Sequence, residues 1–370
     1  MSNADKKPRI LHSAALLSPP SGILAQMDWE QEAANTLDID WQVRMYCPKN
    51  TPNTASVLHQ DAAIDHEKMK SSASKLMAWI RLRRNYHRWL LQQQEKVDIY
   101  LLRYYVHDPY QLEFVGACKK PVYFIHHTLE VPELALPGGV SGFVRSGLES
   151  AIGRYCIRKA EGIIGVTQEI VDHELRRAGC LQKKSYVYPN GIIFKDLPLE
   201  DKRNQDVPEL LFVANFAPWH GLDILLEEVA KSQENFILHL VGKVPDDLLD
   251  FTKDSRVRMY GAMNQQQIIE LSAQCWVGLS SFALKRKEMK QACPLKVREY
   301  LMLGLPAYGD YQDVFSDDFP YFKKGSEDLA EILGFCWAVR GFDKSVVSEE
   351  SRDFVEKIGL LRRAYEFFLK

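Results

Sequence analysis

The sequence has few of the features that mark disulfide-rich, metal-binding or membrane-spanning proteins. Its seven cysteines are odd in number and form no Cys-x-x-Cys pair, which is typical of reduced thiols rather than of a disulfide framework or a zinc site. No apolar run reaches the roughly 18 residues of a membrane span, and the polar N-terminus is unlike a signal peptide. We therefore expect a soluble, cytoplasmic protein.

Neither sign of charge dominates the chain. Lys and Arg number 47 against 49 Asp and Glu, for a formal net charge of −2, which argues against nucleic acid as a partner. The sequence also lacks a Walker-type phosphate loop, a zinc motif and a nucleophile elbow. What remains is a chain of 370 residues, which is long enough for two domains with cores of their own.

Short apolar segments alternate with helical patterns along most of the chain. This alternation is typical of α/β domains built on parallel sheets. The charged, proline-containing segment 196–208 is the predicted hinge. We therefore predict a first domain at 1–195, a second at 196–350, and a last helix, Ser351 to Leu369, within 351–370.

The segment 293–306 is the most informative part of the sequence. Pro294 suits the first position of a helix, and Gly304 suits the left-handed residue just beyond its end, so a helix of about three turns is predicted between them. Lys296 would lie in the first turn, where a cation opposes the helix dipole and no acidic residue offsets it. A phosphate bound at the helix N-terminus would remove this conflict.

Glu299 follows three residues later, on the same face and about one turn deeper in the helix. Its carboxylate would accept two hydrogen bonds from the diol of a sugar joined to that phosphate. This arrangement favours a nucleotide sugar as the ligand. The alternative is a surface lysine that pairs with Glu299 and binds no ligand.

The run PLKVREYLMLGLP at 294–306 resembles the donor-site segment of retaining GT-B glycosyltransferases of family 4, the glycosyltransferase group 1. The resemblance implies two Rossmann-like, doubly wound α/β domains that face each other across a cleft, with a C-terminal helix that crosses back to the first domain. It also implies a UDP-, GDP- or ADP-sugar donor held by the second domain, an acceptor held by the first, and no cofactor or metal. Glu299 matches the family glutamate that holds the donor ribose, Leu295 lies beside it, and the first glutamate of the family's Glu-x7-Glu pattern is replaced by Gln291.

The loop that follows the first strand of the second domain resembles another donor-binding segment of the family. An arginine and a lysine usually hold the donor diphosphate there, but this chain has Asn215 and His220 at the two places. A leaving diphosphate needs positive charge or hydrogen-bond donors aimed at it. Lys296, together with Lys287 or Lys290, is therefore predicted to supply the charge.

Two histidines follow an apolar strand at its carboxyl end, where open α/β sheets place their sites. His127 matches a family histidine that faces the donor sugar, and we expect it to be catalytic together with Lys296; a purely structural histidine is the alternative. His126 and Glu130 are predicted to bind the acceptor, although a helix-start glutamate is the simpler account of Glu130.

Gly22 lies in the first strand–turn–helix unit of the chain. In that position a glycine would let the backbone approach the donor closely. The alternative is a plain turn glycine with no contact to a ligand.

A long helical pattern, predicted from His66 to Glu95, has basic and aromatic residues interleaved at 75–90. This composition is found in helices that lie on anionic membranes, although a solvated helix surface is the common alternative. We therefore consider a peripheral contact with the inner membrane surface and a lipid-linked acceptor.

The predicted reaction is transfer of a sugar, with retention at the anomeric carbon, to a saccharide or lipid-linked acceptor in cell-surface polysaccharide synthesis. Catalysis would come from stabilising the diphosphate leaving group and from placing the acceptor hydroxyl on the same face of the sugar. Two alternatives remain, a sugar-nucleotide epimerase or hydrolase of the same fold and a non-catalytic nucleotide-sugar-binding relative.

Overall fold

The computed structural model describes residues 7–49, 51, 54–64 and 71–370, and the chain forms two compact units. Unit 1 comprises Met1–Ile193 and Lys357–Lys370, and unit 2 comprises Phe194–Glu356. The boundaries predicted after residues 195 and 350 therefore differ from those of the structure by a few residues.

Unit 1 is built on a seven-stranded sheet in which all neighbouring strands are parallel. Its strands are β1 (Ile10–Ala15), β2 (Trp41–Cys47), β3 (Leu58–Asp61), β4 (Ile99–Arg103), β5 (Val122–His126), β6 (Gly162–Gly165) and β7 (Lys184–Val187). They are arranged in the order β3-β2-β1-β4-β5-β6-β7. The central strands are buried and the two edge strands are partly exposed, as expected for a parallel sheet that helices cover on both faces. The edge strand β3 was not predicted, because its sequence is mostly polar.

The helices of unit 1 connect these strands. They are α1 (Ser21–Leu37), α2 (Ser72–Gln92), α3 (Pro109–Ala117), α4 (Glu130–Ala135), α5 (Gly139–Lys159) and α6 (Gln168–Ala178). The predicted beginning of α2 at His66 lies outside the described residues. Thr167 and Gly179 cap α6, with the Thr167 hydroxyl accepting from a backbone N–H and Gly179 in the left-handed conformation, which is the sequence signature of a helix start and stop.

Unit 2 has a six-stranded sheet, again with every neighbouring pair parallel. Its strands are β8 (Glu209–Val213), β9 (Ile237–Val241), β10 (Val257–Gly261), β11 (Val277–Leu279), β12 (Ala307–Gly309) and β13 (Phe322–Lys324), and its α-helices are α7 (Leu222–Lys231), α8 (Gln265–Ser272), α9 (Leu295–Met302), α10 (Leu329–Val339) and α11 (Lys344–Val355). The order of the strands is β10-β9-β8-β11-β12-β13.

Both sheets have the strand order of a Rossmann fold, with the first strand in the middle. The winding direction reverses between β1 and β4 in unit 1 and between β8 and β11 in unit 2. Ligands of such sheets bind outside the carboxyl ends of the strands at this reversal. The predicted class, α/β with two Rossmann-like units, is confirmed.

The C-terminal helical segment is two helices rather than the single helix predicted from Ser351 to Leu369. Glu356 is extended (φ −72°, ψ 125°) and ends α11, and α12 (Lys357–Leu369) follows at once. At this break the N–H of Lys357 donates to the carbonyl of Ile192 at 2.7 Å. This bond brings the chain back into unit 1, where α12 packs on α1.

Candidate functional site

Helix α9 contains the residues that the sequence singled out for the donor. Pro294 is its N-cap (φ −77°, ψ 143°) and not its first helical residue, and the helix has eight residues, about two turns rather than three. Pro294 provides no capping side chain for the N-terminus of α9. Its first backbone N–H groups and its dipole are therefore suited to an anion.

Tyr300 fixes α9 at the strand reversal of unit 2. Its hydroxyl accepts from the N–H of Val213, at the end of β8, at 2.8 Å and donates to the carbonyl of Leu279, at the end of β11, at 3.2 Å. The ring lies so close to β11 that a Cβ atom at Gly278 would come within 2.3 Å of it. Helix α9 is thus anchored to the two strands between which Rossmann sheets bind ligands.

The other side of α9 is held by a buried ion pair and by its C-terminal turn. Arg298 Nη1 lies 2.7 Å from Asp313 Oδ2, and both side chains are fully buried. Gly304 has the predicted left-handed conformation (φ +70°), and a Cβ atom there would come within 2.3 Å of the Lys344 carbonyl. Together with the contacts of Tyr300, these contacts fix the position of α9 in unit 2.

The ammonium of Lys296 is buried and has no hydrogen-bond partner among the residues described. It lies 5.1 Å from the centre of the Phe212 ring on β8. Burial lowers the pKa of Lys296 to about 7, against the opposing charge of Glu299. The alternative of a solvated lysine paired with Glu299 is therefore wrong. An unpaired buried cation is unfavourable, and a bound anion would compensate it.

The remaining predicted donor residues of this segment lie around the start of α9. Glu299 is exposed, and its pKa is raised by the loss of water around it, against the effect of Lys296. Leu295 and Gln291 are partly exposed, and a parallel bridge to Gln312 holds the backbone of Gln291. Glu299 thus lies one turn beyond Lys296, with part of its surface open to solvent.

His220 lies in the loop between β8 and α7, in a short 3-10 helix. Its Nδ1 accepts the N–H of Ala217 at 2.9 Å, so Nε2 carries the proton of the neutral ring. Burial lowers the pKa of His220 to about 3, and the positive charges of Lys296 and Lys287 add to this effect. His220 is therefore a neutral hydrogen-bond donor and not the cation that a diphosphate site usually has at this place.

Two of the three predicted lysines lie beside this loop. Lys287 is nearly buried, with its ammonium 4.7 Å from the centre of the Trp219 ring, and it acts with Lys296 on the pKa of His220. Lys290 and Asn215 are both exposed. The structure thus brings Lys296, Lys287 and His220 together and leaves the other two at the surface.

A small pocket lies at the carboxyl ends of the strands of unit 1, next to the β1/β4 reversal. Eight of its twelve lining residues are polar or charged, and the twelve come from several elements. These are His12, Gln26, Met27, Glu30, Arg103, Ile125, His127, Val166, Tyr188, Pro189, Asn190 and Lys357.

Glu30 is the buried carboxylate of this pocket. It lies 2.5 Å from His12 Nδ1, accepts from Trp41 Nε1 at 2.9 Å and from the Tyr188 hydroxyl at 3.1 Å, and is 3.6 Å from the Lys357 ammonium. Burial alone would raise the pKa of Glu30, but His12 and Lys357 lower it to about 2. Glu30 is therefore ionised at any physiological pH.

His127 lines the same pocket beside Arg103, the last residue of β4. Burial lowers the pKa of His127 far below its usual value, and the charges of Arg103, His12 and Lys357 lower it further. The imidazole is therefore neutral, so it can both donate and accept a hydrogen bond. Burial also lowers the pKa of Arg103. A guanidinium nevertheless stays protonated, so Arg103 contributes a positive charge to the pocket.

His126 and Glu130 do not line this pocket, contrary to their predicted role. They are 0% and 5% exposed, and His126 Nδ1 lies 2.9 Å from Glu130 Oε1 and 3.5 Å from Glu174 Oε2. Arg177 binds Glu174 at 2.5 Å. Because neither predicted acceptor residue has an accessible side chain, the geometry argues against acceptor binding and favours a structural role for both.

Burial lowers the pKa of His126 to about 4 and raises those of Glu130 and Glu174 to about 7 and about 8. Their ligand atoms lie within 4.8 Å of one another, so the spacing of these three side chains would suit a metal ion. Arg177 already neutralises part of the carboxylate charge. We therefore assign the group no catalytic role.

Gly22 is exposed and helical in the first turn of α1. A helical conformation is open to any residue, so this position makes no use of the freedom of glycine. The geometry favours the alternative of a glycine with no contact to a ligand.

Two aromatic residues of the 75–90 segment, Tyr86 and Trp89, pack toward the sheet. Tyr86 is fully buried, Trp89 lies against it and Tyr46, and Arg83 lies 3.4 Å from the centre of the Tyr105 ring. The pattern in this part of α2 is therefore largely that of a helix packed on one side and solvated on the other. No helix in the described parts of the chain is both long enough and apolar enough to cross a bilayer.

Three charged residues of the pocket in unit 1 were missed by sequence reasoning. Arg103 ends an apolar strand, which is the same signal that identified the two histidines. Glu30 interrupts the apolar stripe of α1, and such an interruption indicates a buried charge with a partner. Lys357 gives no sequence signal, because its contact with Glu30 depends on the return of the chain into unit 1.

Residues 207–307 match the family model described as glycosyl transferases group 1. The matched segment contains β8, the loop with His220, and α9 with Lys296 and Glu299. Unit 2 of the chain thus contains a segment with the sequence of a group 1 glycosyltransferase. The match confirms the predicted resemblance and the predicted enzyme class. No curated protein sequence matches the chain.

Solved glycosyltransferase structures are similar to this chain over nearly its whole length. The lipopolysaccharide outer core galactosyltransferase WaaB, in its apo form, has a TM-score of 0.64 and 11% identity over 97% of this chain and 98% of its own. Anabaena HepE with UDP and glucose has a TM-score of 0.61 and 14% identity over 98% and 99%. A mutant of S. aureus TarM with fondaparinux, alpha-GlcNAc-glycerol and UDP has a TM-score of 0.64 and 10% identity over 98% and 99%. At this identity the likeness shows the fold, which is GT-B.

Proposed function

We propose that this glycosyltransferase transfers a sugar from a nucleotide diphosphate sugar to a saccharide or lipid-linked acceptor, with retention at the anomeric carbon. The observation that carries the proposal is the buried, unpartnered ammonium of Lys296 next to the uncapped N-terminus of α9, both within the described residues. Because both are unfavourable without an anion, a diphosphate is the ligand that suits them. HepE structures hold UDP and UDP-glucose, which makes UDP-sugars the first donors to test.

In this proposal the donor diphosphate is held by Lys296 and the first N–H groups of α9. His220 donates its Nε2–H, and Lys287 adds positive charge from the other side of the loop. Glu299, exposed one turn further on, accepts hydrogen bonds from the ribose hydroxyls, while Gln291 offers a neutral amide to the sugar. Fixed donors and charges at a leaving diphosphate lower the barrier to its departure.

The acceptor belongs, in the same proposal, to the pocket of unit 1. The neutral His127 binds a hydroxyl of the transferred sugar or of the acceptor, and Arg103 adds a positive charge beside it. Attack on the face from which the diphosphate leaves gives retention. We place this reaction in cell-surface polysaccharide synthesis at the cytoplasmic face of the membrane, the setting in which lipid-linked acceptors are met.

A thermal-shift panel of UDP-, GDP- and ADP-sugars tests the donor site, because a ligand that binds only the folded protein raises its midpoint. One nucleotide class is expected to stabilise the protein, and Glu299→Ala to remove the shift without unfolding it. Glu270→Ala is the matched control, because Glu270 is exposed on the neighbouring helix α8. An unchanged shift in Glu299→Ala would place the donor elsewhere.

Turnover assays separate the alternatives. We expect the nucleotide to be released only when an acceptor is present. NMR of the product is expected to show the same anomeric configuration for the transferred sugar as in the donor. Turnover of the nucleotide sugar without any acceptor would favour an epimerase or hydrolase. Donor binding without product across a broad acceptor panel would favour a non-catalytic relative.

A further inference from the structure

Helix α5 presents an apolar stripe to solvent. Val140, Phe143, Val144 and Leu148 follow the i, i+3, i+4, i+8 spacing of one helix face and are 81%, 79%, 49% and 49% exposed. Single exposed apolar residues are common, but a contiguous group on one helix face marks an interaction surface.

The exposed charged residues of α5 are all basic. Arg145, Arg154 and Lys159 are exposed. The only acidic residue of the helix, Glu149, is 0% exposed and is bound by Arg177 at 2.9 Å. An apolar face flanked by basic residues is the composition of helices that lie in the interface of anionic membranes.

The first turns of α2 extend this surface. Leu76 and Met77 are 58% and 64% exposed. The ring of Trp79 lies 6.4 Å from that of His107, and Nε of Arg145 lies 3.5 Å from Nε2 of His107. One imidazole therefore connects the N-terminal part of α2 with the first half of α5.

We propose that the exposed face of α5, together with Leu76 and Met77 of α2, docks on an anionic phospholipid bilayer. The inference rests on the proposed function only in that a lipid-linked acceptor would lie at such a surface. A second copy of this chain is a poorer occupant, because a symmetric contact would bring the same basic residues against each other. A uniformly anionic surface attracts all the exposed basic residues of α5. Because this attraction is electrostatic, we expect the binding to be reversible and to weaken as the salt concentration rises.

The test is cosedimentation of the full chain with phosphatidylglycerol vesicles and with phosphatidylcholine vesicles, at low and high salt. The chain is expected to bind phosphatidylglycerol at low salt, to be released at high salt, and to ignore phosphatidylcholine. Phe143→Ser combined with Leu148→Ser is expected to weaken binding by about tenfold or more, through lost apolar burial. Arg145→Glu combined with Arg154→Glu is expected to weaken it by a similar factor, through lost attraction to the headgroups.

Leu181→Ser is the matched control, because Leu181 is 65% exposed in the same unit but lies outside both helices. Failure of the wild type to bind phosphatidylglycerol vesicles at low salt would overturn the proposal, as would binding as tight as that of the wild type by both double variants. So would a wild-type dimer that Phe143→Ser abolishes in the absence of vesicle binding. The nucleotide-sugar thermal shift, measured on the same variants, reports separately on the donor site and is expected to be unchanged.

Discussion

The ammonium of Lys296 lies 5.1 Å from the centre of the Phe212 ring and has no hydrogen-bond partner in the described parts of the chain. A cation–π contact offsets only part of the cost of removing an ammonium from water, which is why the pKa of Lys296 falls to about 7. The side chain is therefore poised to gain a proton when an anion arrives. Two predictions depend on this property.

Donor binding is expected to take up protons above about pH 7. A diphosphate next to Lys296 favours the charged amine and raises its pKa, so at about pH 8 the free side chain is mostly neutral and the bound one charged, whereas at about pH 6 both are charged. Isothermal titration calorimetry in buffers of different ionisation enthalpy measures this uptake at the two pH values. Equal uptake at both, or uptake that persists in Lys296→Met, would contradict the assignment.

Lys296→Met is expected to weaken donor binding by about tenfold or more and yet to stabilise the free protein at low pH. The pKa of Lys296 is lowered in the folded state from its usual 10.5 to about 7, so between these values only the unfolded chain takes up the proton. The wild type therefore loses stability as the pH falls toward about 7, and the loss stays constant below that pH. The variant should therefore gain free energy of unfolding relative to the wild type on going from about pH 9 to about pH 6. Lys253→Met, at an exposed lysine of the same unit, is expected to show neither effect.

Local signals explain why helix α9 was predicted at nearly the right place. Pro294 and Gly304 act through backbone rules that need no knowledge of the rest of the fold. The burial of Lys296 could not be predicted in the same way, because it depends on the ring of Phe212 in a distant strand. The class of ligand was inferred from the charge order of the helix, while the desolvation that makes the site unusual required the structure.

The two neighbouring histidines show why the site of unit 1 was predicted only in part. His126 is the last residue of β5 and His127 follows it. Because successive residues of a strand point to opposite faces of the sheet, His127 reaches the pocket whereas His126 stacks on Tyr104 at 4.3 Å in the interior. The position of the two histidines after an apolar strand predicted the correct edge of the sheet. It did not distinguish the histidine that reaches the pocket from the one that is buried in the interior.

This difference gives a prediction with a built-in control. His127→Asn is expected to lower the turnover number on the order of 100-fold, with little change in thermal midpoint or in donor affinity. His126→Asn is expected to lower the thermal midpoint, because it disturbs a buried group that binds Glu130 and Glu174. Steady-state kinetics and thermal scans on both variants test this, and a reversed pattern would exchange the two roles.

The ion pair between Arg298 and Asp313 is expected to be essential for the stability of unit 2. Both side chains are fully buried, so Asp313→Ala would leave an unpaired guanidinium in the interior at a cost of about 3–5 kcal/mol. Denaturant unfolding measures this loss. Asp223→Ala breaks a partly exposed pair with Arg286 and should cost less than about 1 kcal/mol. Similar losses in the two variants would contradict the burial argument.

The stability of unit 1 is expected to fall at acid pH because of Glu30. Its pKa is about 2 in the folded protein against a usual value of 4.5, and a depressed carboxyl pKa contributes stability that is present above the unfolded value and is lost as the pH falls through the folded one. The contribution corresponds to about 3 kcal/mol at neutral pH, because the carboxylate holds His12, Trp41 and Lys357 together.

Glu30→Gln should therefore be less stable than the wild type by a constant amount above about pH 5, and the difference in stability should disappear between about pH 4.5 and 2. Urea unfolding across this range measures the difference, with Glu32→Gln at an exposed position of the same helix as the control. A difference that stays constant down to about pH 2 would mean that Glu30 acts through its shape and hydrogen bonds and that its charge adds nothing.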